Sequence, residues 1–185
     1  MTQKSQRERQ SNFFDVCSKC NTNYACCFGT DPPISHKRKR VIERFLKENK
    51  IPIKNPFVQG EYVFPRKKAE GYCIFFDTKT KKCQIHPVKP ETCVAGPITF
   101  DMNTRSQKIE WYVKMESICP LAGIVYKNGE LLQKHLEAAK KEILKLVSEL
   151  SSEELRAILK KEEPETFKIG EDAAGKDAAD KLAKK

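Results

Sequence analysis

"CSKCNTNYACC", residues 17–27, places four of the chain's eight cysteines in one short stretch and ends on an adjacent pair. Cys17 and Cys20 form a C-x2-C knuckle, whose two intervening residues let both sulfurs turn toward a single metal. Neighbouring side chains tend to diverge, so Cys26 and Cys27 are expected to serve different centres or to leave one sulfur behind the coordinating set. A bond between them is disfavoured because a vicinal disulfide is strained. Whether these sulfurs are bridges, nucleophiles or ligands decides whether the fold rests on its own core or on an inorganic centre.

The composition favours the second. The chain has 185 residues, of which 39% are hydrophobic and 32% charged. That suits one thinly cored domain with a tail. No apolar run approaches the ~18–20 residues of a membrane span, and "MTQKSQRERQSNFF" at the start has no apolar signal region. A cytoplasmic location without a membrane partner is therefore expected. A reducing cytosol keeps thiols free, so its cysteines read as metal ligands or catalytic groups before they read as disulfides.

The other four cysteines are dispersed: Cys73 in "GYCIFF", Cys83 in "KKCQIHP", Cys93 in "PETCVAGP" and Cys119 in "SICPLAG". Packing accounts for a residue such as Cys73 beside Ile74 and Phe75, but not for four sulfurs between residues 17 and 27. A zinc ribbon needs two close knuckles, and only one is present. Iron–sulfur clusters accept irregular spacing, and Cys119-Pro120 matches the cysteine–proline end of ferredoxin runs. The expected cofactor is an iron–sulfur cluster, [4Fe-4S] in preference, or Zn2+, with all eight cysteines as candidate ligands. Their division between one centre and two stays open.

The formal charge is +10, and the excess lies within residues 17–127. A four-thiolate site holding a divalent metal carries a net charge of about −2, which offsets part of it. The densest basic run is "HKRKR", His36 to Arg40. Cations in a helix's first turn oppose its dipole, so the run does not serve helix stability. Solvated surface is the favoured reading, with nucleic-acid contact through Lys37 to Arg40 behind it. An unidentified protein partner and a monomeric state complete the expectations.

Local patterning predicts an α+β chain: a small irregular cysteine-rich domain of short antiparallel hairpins and helices, then a helical hairpin and a disordered tail. Its divisions are a flexible arm at 1–12, a metal-binding domain at 13–127, the hairpin at 128–163 and the tail at 164–185. Ser35 is placed as N-cap of a helix to about Asn49 with Val41, Ile42, Phe45 and Leu46 on one stripe. Strand-like runs are "EYVF", "YCIFF", "CQI", "PITF" and "IEWYV". "HPVKPETC" reads as a loop with one helical turn. Leu132, Leu136, Ala139, Ile143, Leu146 and Leu150 define the clearest helix, and Ser151 with Glu154 forms a capping box for the next. His86 is expected to hydrogen-bond in its proline-braced turn in preference to ligating, His36 and His135 to be solvated, and Trp111 and Tyr112 to pack in the core.

The combined motif C-x2-C-x5-C-C, then G-x-C-x-F at Gly71, Cys73 and Phe75, then C-x-I-H-x-x-x-P-x-x-C from Cys83 to Cys93, resembles the YkgJ-type cysteine-cluster family. That family is described as a zinc- or iron-chelating domain, with flagellin lysine methylase among its relatives. The resemblance spans residues 13–123. It implies that the cysteines are ligands, Cys119 least firmly. As a second reading it implies a lysine-methylase-like enzyme using S-adenosylmethionine, although no glycine-rich adenosine-binding loop is visible. The chain departs from the pattern at His86, where an aromatic is common, and at Lys89 and Val94, where arginines are.

Overall fold

Strict alternation of apolar and polar residues builds the larger of two cores. Strand β5 (Ile98–Asn103) buries Ile98, Phe100 and Met102, and β6 (Lys108–Lys114) buries Ile109, Trp111 and Val113, every second residue in each. The structure, a computed structural model, describes residues 25–103, 105–161, 165–175, 178, 180 and 181. The expected arm, Phe13, Phe14, Cys17 and Cys20 lie outside these residues.

β5 and β6 pair antiparallel, Phe100 opposite Trp111, and β6 also pairs with β7 (Thr166–Ala173), giving a three-stranded sheet in the order β5-β6-β7. The tail was expected to be disordered from residue 164, and β7 corrects this for residues 166–173. Phe167 and Ile169 alternate with polar residues, and the strand is held by main-chain pairing and charge, with Lys168 bridging Glu110 at 2.9 Å. A β-bulge sits opposite Trp111 and Tyr112, whose partners are Gly170 and Lys168. Beyond it Asp172 accepts from Trp111 Nε1 at 2.6 Å and meets Lys140 at 2.9 Å. Low apolar content hid this edge strand, because its pairing partner is far away in sequence.

Helices cover the sheet's inner face. Their order is α1 (His36–Glu48), α2 (Glu91–Ala95), α3 (Pro120–Tyr126), α4 (Gly129–Glu149) and α5 (Ser152–Leu159). α4 lays Leu136, Ala139, Ile143, Leu146 and Val147 against Phe100, Met102, Ile109 and Trp111. The leucine stripe therefore packs within its own domain. Leu150 and Leu155 close the turn into α5, whose Ser151–Glu154 capping box is formed in both directions. α3 had no periodic signal in seven residues, and Pro120 at its first turn starts it.

The second core gathers around α1, with Ile34, Ile42, Leu46, Val63, Phe75 and Ile85 buried together. Ser35 caps α1 by accepting from Arg38 N at 3.1 Å, as expected. The expected hairpins are present in shortened form: β1 (Phe57–Gln59) with β2 (Val63–Pro65), and β3 (Phe76–Asp77) with β4 (Lys82–Cys83). "HPVKPETC" forms two turns where one was expected, a 3-10 turn at His86–Val88 and then α2.

Two surface expectations change. His135 is 9% exposed, because its position on α4 faces the end of α2 and not solvent. Lys37 and Arg38 are not simply solvated: Lys37 meets Glu149 at 3.1 Å, and Arg38 reaches Glu142, tying the start of α1 to α4. His36 is exposed, Trp111 is buried and Tyr112 half-buried. Among the described residues no helix is long and apolar enough to cross a membrane.

Candidate metal centre

Main-chain pairing brings the thiols of separate segments together. Residues 27–29 run antiparallel beside 71–73: Cys73 N donates to Cys27 O at 2.8 Å, Gly29 N donates to Gly71 O at 3.0 Å, and Phe28 bridges Tyr72. Gly71 makes this approach with φ +89°, and the Phe28 ring lies 3.0 Å from where a Cβ would stand. One turn later Phe76 N donates to Cys73 O at 2.9 Å, and Phe76 itself pairs with Cys83 across β3 and β4. Cys27, Cys73 and Cys83 thus lie on successive neighbouring segments.

Cys93 arrives on α2. Glu91 fixes the start of that helix: it is 2% exposed, accepts from Ser35 Oγ at 2.6 Å and has Arg38 Nε 3.7 Å away. His135 Nε2 holds the end, donating to Ala95 O at 3.2 Å and Gly96 O at 3.1 Å. A short helix without a side-chain N-cap is therefore held at both ends by groups from α1 and α4.

The sulfurs act on one another's ionisation. Cys26 and Cys27 sit side by side in the 3-10 turn Ala25–Cys27 with their Sγ atoms 4.0 Å apart. Two sulfurs on one tetrahedral zinc at about 2.3 Å lie about 3.8 Å apart, so the expected divergence of this pair is not observed. Their shared hydrogen bond lowers Cys26 to about 6, aided by Lys114 and Lys89 against the cost of burial. The same bond, then burial and the charges of Cys26, Cys93 and Cys83, push Cys27 up. Burial raises Cys73 to about 11, with Cys83 adding to it. Burial likewise raises Cys93, against Lys89 and with Cys73, Cys83 and Cys26.

Five thiols, Cys26, Cys27, Cys73, Cys83 and Cys93, thus share one electrostatic neighbourhood edged by Lys68, Lys89 and Lys114. Among the described residues no three His, Cys, Asp or Glu side chains converge at metal-binding distance, so the cluster is a gathering of donors short of a closed polyhedron. Cys119 stands at the N-cap position of α3, its N–H bonded to Met115 O at 3.0 Å. Cys17 and Cys20 lie outside the described residues. His86 is half-buried, and burial, then Lys89, lowers it to about 4, which keeps its ring neutral.

The donor chemistry suits a thiophilic metal. Soft sulfurs lie near one another, and the nearby lysines oppose the charge that thiolates acquire. Sequence reasoning missed the lysine edge and the clamps on α2. Lys68, Lys89 and Lys114 look like ordinary surface lysines along the chain, and Glu91 and His135 acquire their roles only where helices meet.

The uncharacterized Methanocaldococcus jannaschii protein MJ0661 is 32% identical over 95 residues, 50% of this chain and 48% of that relative. The chain thus spans about half the length of the relative. No solved structure matches significantly. Gathered cysteines from residues 26 to 93 agree with the family profile matched over residues 16–120, and the chain belongs to the CxxCxxCC family, described as "Putative zinc- or iron-chelating domain".

Proposed function

We propose that this is a cytoplasmic metal-binding protein whose cysteines hold an iron–sulfur cluster, [4Fe-4S] in preference to Zn2+. The observation that supports this is the backbone pairing that sets the segments of Cys27, Cys73 and Cys83 side by side, with the Sγ atoms of Cys26 and Cys27 4.0 Å apart. Cys17, Cys20 and Cys119 complete the proposed ligand set of eight. The irregular spacing of these residues favours a cluster over a ribbon-type zinc site. When bound, the centre supplies positive charge that stabilises thiolates and links segments with little apolar surface of their own.

The chain's residues have definite parts in this. Cys26, already lowered, gives up its proton most readily, and Lys89 and Lys114 favour the anion. Cys73 and Cys93, raised by burial, stay protonated until a cation replaces the proton. Loading therefore releases protons and weakens as the pH falls.

Anaerobic purification followed by iron, sulfide and zinc analysis tests the reading. Stoichiometric iron and sulfide with a broad band near ~400 nm supports it. A colourless protein with stoichiometric zinc replaces the cluster by Zn2+, and substoichiometric metal with eight titratable thiols refutes metal binding.

A further inference from the structure

α1 divides its cations into two sets. Lys37 and Arg38 are joined to Glu149, Glu142 and Glu91, and Lys39 lies over the Phe57 ring at 5.7 Å. Arg40, Arg44 and Lys47 do something else. Their spacing of four and three puts them on one helix face, opposite Ile42 and Leu46, which are buried. All three are exposed, as are Lys50 and Lys54 in the segment after the C-cap. None of the five makes an ion pair among the described residues, although Glu43 and Glu48 are on the same helix. On α4, by contrast, Lys134, Lys140 and Lys145 each meet a glutamate of their own helix.

Like charges at these spacings cost a few tenths of a kcal/mol per pair, which Glu43 four residues before Lys47 and Glu48 four after Arg44 offset in part, and no acidic residue occupies the first turn. A helical rise of about 1.5 Å per residue sets Arg40 and Arg44 about 6 Å apart along the axis and Arg40 and Lys47 about 10 Å apart. This is a line of charge and not a pocket for one small anion.

We propose that the row Arg40, Arg44 and Lys47, together with Lys50 and Lys54 beyond the helix, binds the phosphate backbone of a nucleic acid, without reading its sequence. Linear, regularly spaced cations complement a linear polyanion, and their release of counterions supplies the affinity. An anionic membrane fits less well, because Ile42 and Leu46 of the apolar stripe a membrane helix would insert are already buried in this protein's own core, leaving Val41 exposed and Phe45 half-buried.

Fluorescence anisotropy of metal-loaded protein with a labelled 20-nucleotide single-stranded RNA tests this, in ~50 to ~200 mM salt. Five phosphate contacts give a log–log salt slope of about −3.5, a loss near a hundredfold over that range. The triple variant Arg40→Gln, Arg44→Gln, Lys47→Gln should bind at least about tenfold more weakly and lower the slope by about 2. Lys134→Gln, Lys141→Gln, Lys145→Gln on α4 removes equal charge and should bind within about threefold of wild type. Arg44→Gln alone, with a slope reduced by about 0.7, carries the test if the triple variant misfolds. Three results overturn the proposal: no salt-sensitive RNA binding, equal losses in the α1 and α4 triples, or retention on anionic vesicles without RNA binding.

Discussion

Gly71 shows how much depends on one missing Cβ. Its φ is +89°, and the Phe28 ring lies 3.0 Å from the place a methyl group would take, so an alanine there is both strained and crowded. Gly71→Ala should lower stability by about 1–3 kcal/mol in urea denaturation and loosen the Cys27–Cys73 pairing; an unchanged midpoint would mean the turn relaxes freely. His135 holds the end of α2 by its bonds to Ala95 O and Gly96 O. Burial holds it below its ordinary 6.5, while its bonds to Gly96 and Ala95 act the other way. The unfolded chain therefore takes up a proton first as the pH falls through about 6.5, and the stability present above that pH is lost below it. His135→Gln keeps a donor without the titration, so the stability gap between wild type and variant should narrow between about pH 7 and pH 5 in thermal melts.

Helix α4 is the element that organises the sheet. Ile143 is fully buried between it and the strands, so Ile143→Ala should cost about 2–5 kcal/mol of unfolding free energy, read by chemical denaturation. The capping box of α5 is worth less: Ser151→Ala removes the acceptor for Glu154 N and should cost about 1 kcal/mol by the same measurement. The two helices were readable because periodicity and capping are written in adjacent residues. β7 was not, because only Phe167 and Ile169 carry its apolar content and its partner β6 lies far earlier in the chain. α3 escaped notice for a different reason, since seven residues are too few to display a period.

Across the whole molecule the two cores should respond differently to loss of metal. The larger one, with Trp111 and α4, holds no cysteine, whereas Cys73 and Cys83 pack against the smaller one beside Phe75 and Ile85. Chelation should therefore remove hydrogen-exchange protection from α1 and residues 57–88 and leave that of β5 and β6. Trp111, the chain's single tryptophan, should keep its fluorescence. Structural metal is worth on the order of 10 kcal/mol, enough to decide whether the smaller core persists. Simultaneous collapse of Trp111 fluorescence would show instead that the cores fold as one unit.

By itself the sequence determined the zinc- or iron-chelating family and the phases of the long helices, because motif spacing and periodicity are local properties of the chain. Only the tertiary structure decided which cysteine-bearing segments lie side by side, that His135 and Glu91 clamp α2, and which cations of α1 are consumed by glutamates. Those outcomes depend on contacts between distant segments, where hydrogen bonds and burial act on groups the linear order keeps apart.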